Sequence, residues 1–126
     1  MKKFVTLVLA IVLVCVASCS LAATDFQYKG SETVEFKAWS KPATSSGANW
    51  HMTWTKCNLS STNRAVVRIY AGTGVFASAK FVYSSASTKY HPYNDGYGKG
   101  KAATYVGGKM DDRDDGEIDV KGKFYN

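Results

Sequence analysis

Residues 117–125 read EIDVKGKFY, and this stretch decides the fold class because its polarity alternates along its length. Ile118, Val120, Gly122 and Phe124 share one phase, and charged or polar side chains fill the other. A period of two places successive side chains on opposite faces of an extended chain. The stretch therefore predicts a β-strand with one buried face.

The same alternation recurs through the chain. It predicts strands at residues 33–39, 49–56, 65–71, 75–83 and 104–110, with a short edge strand at residues 25–29. Gly72-Thr73-Gly74 is expected to join two of them as a hairpin turn. We therefore predict an all-β fold, a small antiparallel two-sheet β-sandwich of immunoglobulin-like architecture. A small barrel is the alternative.

The N-terminus has the three parts of a secretory signal. Lys2 and Lys3 precede an apolar run, and small residues follow it. This order predicts a signal helix at residues 1–22, cleavage after Ala22, and export to the outside or surface of a bacterial cell. One domain is expected to fill residues 23–126.

A second interpretation of the same region is a lipid anchor. Residues 16–19 read VASC and resemble a bacterial lipobox. Cleavage before Cys19 would then leave a lipidated, surface-tethered domain. Apart from the signal or this anchor, we expect no membrane contact.

The charge of the exported part indicates a class of partner. Without residues 1–22 the chain keeps 14 basic and 10 acidic residues, a net charge of +4. A basic exported domain attracts anionic partners such as wall polymers, glycans or acidic proteins, although ordinary solubility also accounts for such a charge. Scattered lysines and the absence of a recognised motif argue against nucleic acid. Cys57 is expected to be a half-buried apolar residue rather than part of a disulfide.

Several of these features together resemble a known class of proteins. They are the N-terminal signal, the Trp50-x-Met52-x-Trp54 strand, the Tyr-rich segment from Tyr83 to Tyr105, and the ending Val120-Lys121-Gly122-Lys123-Phe124. Together they look like an uncharacterised family of small secreted proteins of Gram-positive bacteria. The resemblance implies a β-sandwich and export, and it implies no activity and no site residues.

A long loop at residues 84–103 is the predicted binding segment. It is rich in Ser, Gly, Tyr and Lys, a composition that recurs in natural binding loops. We expect an anionic or glycan-rich partner of the cell envelope to contact this loop, with Trp39 exposed beside it. The predicted contact residues are Trp39, Tyr90, Tyr93, Tyr97, Lys99 and Lys101.

The acidic stretch at residues 111–119 has two interpretations. It matches part of a calcium-loop template, with Asp111, Asp114, Asp115 and Asp119 as possible ligands of a structural calcium ion. The competing prediction is a hairpin turn at Asp115-Gly116 that joins the last two strands.

No catalytic set is evident in the sequence. The chain has two histidines, His51 and His91, and too few Cys and His residues for a zinc site. We therefore expect no enzyme, no cofactor, and a binding domain for the cell envelope. The alternatives are a bacteriocin-like antibacterial or signalling effector and a calcium-stabilised structural module.

Overall fold

The computed structural model describes residues 23–101 and 103–126, which contain nine β-strands and no helix. The strands are β1 (Ala23–Gly30), β2 (Lys37–Ala38), β3 (Ala43–Thr44), β4 (Asn49–Cys57), β5 (Ala65–Tyr70), β6 (Phe81–Tyr83), β7 (His91–Pro92), β8 (Ala103–Met110) and β9 (Ile118–Tyr125). The predicted all-β class is confirmed. The signal helix and the Cys19 alternative lie outside the described residues. No helix long and apolar enough to cross a membrane occurs in the described part of the chain.

The first sheet has the order β1-β9-β4-β7, and all of its pairs are antiparallel. The alternating stretch of β9 lies between β1 and β4, and Ile118, Val120, Gly122 and Phe124 are all buried. The register of β9 with β4 shifts at a bulge between Trp54 and Lys56. The prediction of a strand with one buried face is confirmed.

The second sheet has the order β2-β8-β5-β6, and β3 also pairs with β8. Gly107 and Gly108 lie within β8. A Cβ on Gly107 would lie 2.8 Å from the Tyr70 ring, and one on Gly108 would overlap the Trp39 ring. Aromatic rings thus cover the two glycines, a known way to stabilise glycine in a strand.

The core lies between the two sheets. Trp50, Met52 and Phe124 come from the first sheet, and Val67 and Ile69 come from the second. All five side chains have no exposed surface. Burial of their apolar area, at about 25 cal/mol per Å², is the main stabilising contribution.

One edge of the sheet pair is joined by backbone hydrogen bonds. The Gln27 amide of β1 donates to the Trp39 carbonyl at 2.9 Å, and the Trp39 amide donates to the Val106 carbonyl of β8 at 2.9 Å. Trp39 therefore links the first sheet to the second.

Two predicted strands are much shorter than expected. Of residues 33–39 only Lys37–Ala38 forms a strand. The alternation there would place Val34 on one face with Phe36 and Ala38, but Val34 is 84% exposed, so this segment has no buried strand face at Val34. Of residues 75–83 only Phe81–Tyr83 forms a strand. The reason is local: the Ser78 hydroxyl accepts a hydrogen bond from the Ile69 amide at 3.0 Å, where a regular ladder would use a carbonyl.

The hairpin predicted for the last two strands is also wrong. β8 belongs to the second sheet and β9 to the first, so residues 111–117 cross from one sheet to the other. Hairpin turns join neighbouring strands of one sheet. By contrast, the turn predicted at Gly72-Thr73-Gly74 is present, with the Val75 amide donating to the Gly72 carbonyl at 3.1 Å.

Candidate functional site

The tyrosines of the predicted binding loop lie in different environments. Tyr90 is 61% exposed. Tyr93 and Tyr97 are half-buried and pack against the core. Burial raises the pKa of Tyr93 to about 12, and its hydroxyl lies 3.5 Å from the Thr104 hydroxyl. Of these three tyrosines, Tyr90 therefore has the free ring surface.

The lysines of the same loop are exposed, while their backbone is fixed. The Lys99 amide donates to the Gly47 carbonyl at 2.8 Å, and the Gly100 amide donates to the Ser45 carbonyl at 2.6 Å. Lys99 has a φ of 46°, in the left-handed region. Lys99 and Lys101 stay available to an anionic partner.

The prediction that Trp39 is exposed at a loop mouth is wrong. Its side chain is 4% exposed and lies in the core, stacked on Tyr28 with the ring centroids 5.3 Å apart. The backbone bonds that join the two sheets at Trp39 draw the ring inward over Gly108. Trp39 acts as a structural residue.

The four predicted calcium ligands are dispersed among different partners. Asp111 accepts two hydrogen bonds from the Arg113 guanidinium, at 2.8 and 2.6 Å, which hold its pKa well below the usual range. Arg64 binds Asp114, Lys56 binds Asp119 at 2.5 Å, and Asp115 is exposed.

The geometry of this stretch favours ion pairs over calcium ligation. Among the described residues, no group of three or more His, Cys, Asp or Glu side chains is placed to hold a metal ion. A calcium ion takes six to eight oxygen ligands, and the arginines occupy the carboxylates of Asp111 and Asp114.

The outer face of the second sheet carries a cluster of aromatic and basic side chains. The rings of Phe36, Phe76 and Tyr105 surround Tyr70, with centroids 5.3 to 5.9 Å from the Tyr70 ring. Cations lie beside these rings. We call this surface the cationic aromatic face; its members are Phe36, Arg68, Tyr70, Phe76, Lys80, Tyr105 and Lys109.

The cations of this face contact rings rather than carboxylates. The Arg68 guanidinium lies 3.8 Å from the Phe76 centroid. Lys109 and Lys80 lie 5.3 and 6.0 Å from the Phe36 centroid. None of the three forms a salt bridge with any described residue, whereas six other basic side chains do. Arg68 also donates to the Ser78 carbonyl at 3.3 Å, and Lys109 donates to the Thr33 carbonyl at 2.9 Å. The face therefore presents positive charge that no carboxylate of the described residues neutralises.

Exposed apolar surface accompanies this charge. Phe76 is 45% exposed and Val82 is 54% exposed. Val82 pairs with Val66 in the sheet, so it shares the outward phase of Arg68 and Tyr70. Exposed apolar and aromatic groups next to cations are typical of contact surfaces.

The outer face of the first sheet differs, because its charges are largely paired. Lys123 binds Asp25 at 2.9 Å, and Lys29 lies 3.7 Å from Glu117. A groove of about 700 Å³ crosses this side, and Lys121 and Lys41 are its lysines without a salt bridge to a described residue. At one end the His51 ring stacks on Tyr125, with centroids 4.6 Å apart, and the Tyr90 ring lies tilted against it at 4.2 Å. Most charges on this side are therefore paired, in contrast to those of the cationic aromatic face.

A signal for the cationic aromatic face was present in the sequence. Val66, Arg68 and Tyr70 alternate with the buried phase of β5, and Tyr105 and Lys109 do the same in β8. Both strands place aromatic and basic residues in the outward phase. What the sequence lacks is the pairing of β5 with β8, which brings Tyr70 opposite Tyr105.

The two histidines lie in aromatic surroundings. Burial lowers the pKa of His51 and that of His91. Neither has a hydrogen bond from its ring to a carboxylate of the described residues, and Cys57 is half-buried and packs against the core. The exposure of Cys57 is as predicted.

Comparison with known proteins found no matching family model, no matching curated protein and no matching solved structure.

Proposed function

We propose that this protein is an exported or surface-tethered binding domain for an anionic glycan of the bacterial cell envelope, with the cationic aromatic face as its contact surface. One observation carries the proposal. Arg68, Lys80 and Lys109 have no carboxylate partner among the described residues and lie, on one sheet face, beside the exposed Phe76 ring or the half-buried Phe36 ring.

The chemistry of the face fits a partner that has both rings and charge. An aromatic ring has a negative face, which attracts positively polarised C–H groups such as those of a sugar ring. Lysine and arginine bind carboxylates or phosphates, and arginine does so with two parallel hydrogen bonds. A polymer of acidic sugars supplies both kinds of group in each repeat.

Export supports this choice of partner. The order of charge, apolar run and small residues at positions 1–22 is that of a secretory signal. Outside a bacterial cell the abundant anionic polymers are those of the envelope. The residues of the predicted loop with free surface, Tyr90, Lys99 and Lys101, form a second candidate contact region.

The test separates ring recognition from charge attraction. Binding of the purified protein is measured to polygalacturonate, to its neutral methyl ester, and to polyglutamate, across a salt series. We expect polygalacturonate to bind most tightly, polyglutamate less tightly and the ester least. The affinity for the two acidic polymers should fall as the salt concentration rises. Equal affinity for polyglutamate and polygalacturonate would contradict a glycan site. Absence of binding to all three at low salt would remove the proposal and favour a secreted effector that acts on a protein.

We also propose that the two sheets form an immunoglobulin-like sandwich at the level of architecture. Two antiparallel sheets with one shared core support it. An experimental structure with a closed, continuously hydrogen-bonded barrel would contradict it.

A further inference from the structure

The strands define two ends of the sheet pair, and the described chain enters at one of them. β1 begins at Ala23, which pairs with Tyr125 at the end of β9, and Tyr125 also pairs with His51 near the start of β4. At the other end of the same sheet, Gly30 pairs with Ile118. We call the end that holds Ala23 the entry end.

The second sheet reaches the entry end with the start of β8. Asn126, which follows β9, donates from its side-chain amide to the Ala43 carbonyl at 2.7 Å, and Ala43 pairs with Thr104 of β8. Tyr70, the last residue of β5, pairs with the residue after Thr104. The turn at residues 72–75, which follows Tyr70, therefore lies at the entry end as well.

Two lysines of the predicted binding loop belong to the entry end. The Lys99 amide donates to the Gly47 carbonyl at 2.8 Å, two residues before β4 begins, and Lys101 lies two positions before β8. Both side chains are exposed, and neither forms a salt bridge with a described residue. The loop at residues 84–103 has three lysines and one acidic residue, Asp95. The entry end is therefore basic.

The acidic residues are concentrated at the opposite end. Six of the ten acidic residues of the chain lie at positions 111–119, the connection that leads into β9 at Ile118. Arginines and lysines pair with several of them, but Asp112 and Asp115 are exposed and form no salt bridge with a described residue. The domain is thus polarised along its strands, and a negatively charged surface attracts the entry end and repels the acidic end.

Exposed apolar surface accompanies the lysines of the entry end. Tyr90 is 61% exposed, and its ring lies 4.2 Å from that of His51. Val75 is 41% exposed in the turn that follows β5. Aromatic rings with one polar tip favour the headgroup level of a membrane, and lysines are attracted to anionic headgroups. The entry end combines the two kinds of group that bind to a membrane surface.

The position of Ala23 supplies a second argument. Residues 4–17 are apolar apart from Thr6, and Cys19 is the residue that the lipobox interpretation would acylate. A chain spans at most about 3.6 Å per residue, so Cys19 lies no more than about 14 Å from Ala23. Either the apolar segment or a lipid on Cys19, if it is retained, would bring the entry end rather than the acidic end to the membrane.

We propose that the entry end docks on the anionic lipid headgroups of the membrane across which the protein is exported. Lys99 and Lys101 would meet the phosphates, and Tyr90 and Val75 would lie at the apolar boundary. The sequence predicts no membrane contact apart from the signal or the anchor, because it does not show which residues share one end. The inference shares with the proposed function the expectation of export, and it does not rest on the glycan.

The experiment measures the partition of the purified protein into two kinds of vesicle across a salt series. One kind contains phosphatidylglycerol and phosphatidylcholine in equal parts, and the other contains phosphatidylcholine alone. The ratio of the two partition coefficients isolates headgroup charge, because a retained apolar segment or lipid raises both coefficients alike. We expect a ratio of at least about ten at low salt, which falls as the salt concentration rises.

Two double variants with the same net charge test the assignment to the entry end. Lys99→Gln/Lys101→Gln should lower the ratio about fivefold or more. Lys80→Gln/Lys109→Gln removes two charges from the cationic aromatic face, so it should leave the ratio nearly unchanged while weakening the binding of polygalacturonate. Failure of the membrane surface is thereby distinguished from failure of the glycan surface.

A second pair of variants changes the charge in the other direction. Asp95→Asn removes the acidic residue of the loop, so it should raise the ratio. Asp112→Asn makes the same change of charge at the acidic end and should not raise it. A ratio of one for the folded wild type at low salt would overturn the proposal. Equal changes within either pair of variants would also overturn it, because binding would then depend on net charge alone.

Discussion

The guanidinium of Arg64 binds the carboxylate of Asp114 through two hydrogen bonds, Nε to Oδ2 at 3.0 Å and Nη2 to Oδ1 at 2.8 Å. The Arg64 amide also donates to the same carboxylate at 2.7 Å. Arg64 precedes β5 of the second sheet, and Asp114 lies in the connection that leads to β9 of the first. The pair therefore fixes the point where the chain passes between the sheets.

The first prediction concerns this ion pair. Asp114→Asn removes the charge and one acceptor position, so it should lower the urea concentration at the midpoint of unfolding. Asp112→Asn is the matched control, because Asp112 is exposed and has no salt bridge to a described residue. Equal midpoints for the two variants would show that the pair contributes nothing to stability.

The second prediction concerns acid. Arg113 and Arg64 hold the pKa of Asp111 and of Asp114 below the ordinary value. A carboxyl with a lowered folded-state pKa contributes stability above its unfolded-state pKa of about 3.9, and loses that contribution as the pH falls through the folded-state pKa. The free energy of unfolding should therefore decrease below about pH 4. Urea titrations give the free energy of unfolding of the wild type and of Asp111→Asn at each pH, and the two values should converge at low pH. A difference that stays constant across pH would contradict the lowered pKa of Asp111.

The third prediction concerns calcium. Because arginines occupy the carboxylates of Asp111 and Asp114, millimolar calcium should leave the Tm unchanged, as should a chelator. A ligand that binds only the folded state raises its stability. A calcium-dependent rise in Tm that Asp119→Asn abolishes would contradict this prediction and support a structural calcium site.

The fourth prediction concerns the central strand. A Cβ at Gly122 would overlap the Thr53 carbonyl oxygen and lie 3.0 Å from the Phe26 ring. Gly122→Ala should therefore cost about 1–3 kcal/mol of unfolding free energy, as overpacking does. Gly47→Ala serves as the control, since its nearest atom would be 3.6 Å away. A similar urea midpoint for both variants would contradict the close approach at Gly122.

Strand positions could be predicted from the sequence where one face of a strand is buried. The prediction failed where a long-range contact determines the local structure. The polarity pattern located β4, β5, β8 and β9 because a half-buried strand requires alternation. It predicted a strand at residues 75–83 where only Phe81–Tyr83 forms one, because the Ser78 hydroxyl replaces a ladder carbonyl and no pattern encodes that bond.

Site residues were harder to predict for the same reason. Trp39 is followed by loop residues, as an exposed contact residue often is, yet backbone hydrogen bonds to both sheets hold its ring in the core. Tyr93 and Tyr97 lie in a loop of binding-site composition, yet they pack against the core. Tyr70 and Tyr105 become neighbours only through the pairing of β5 with β8. Local composition cannot supply such pairings.

The central claim is that the cationic aromatic face, rather than the Tyr/Lys loop, binds the anionic glycan. The measurement that tests it most directly compares the polygalacturonate affinities of two double variants, Arg68→Gln/Lys80→Gln and Lys99→Gln/Lys101→Gln. Each removes two positive charges, so the net charge of the two proteins is the same. We predict that the first variant binds about fivefold or more weakly than the wild type, roughly 1 kcal/mol, and that the second changes little. Equal losses of affinity in the two variants would show that binding depends on net charge alone. A larger loss of affinity in the second variant would place the site in the loop.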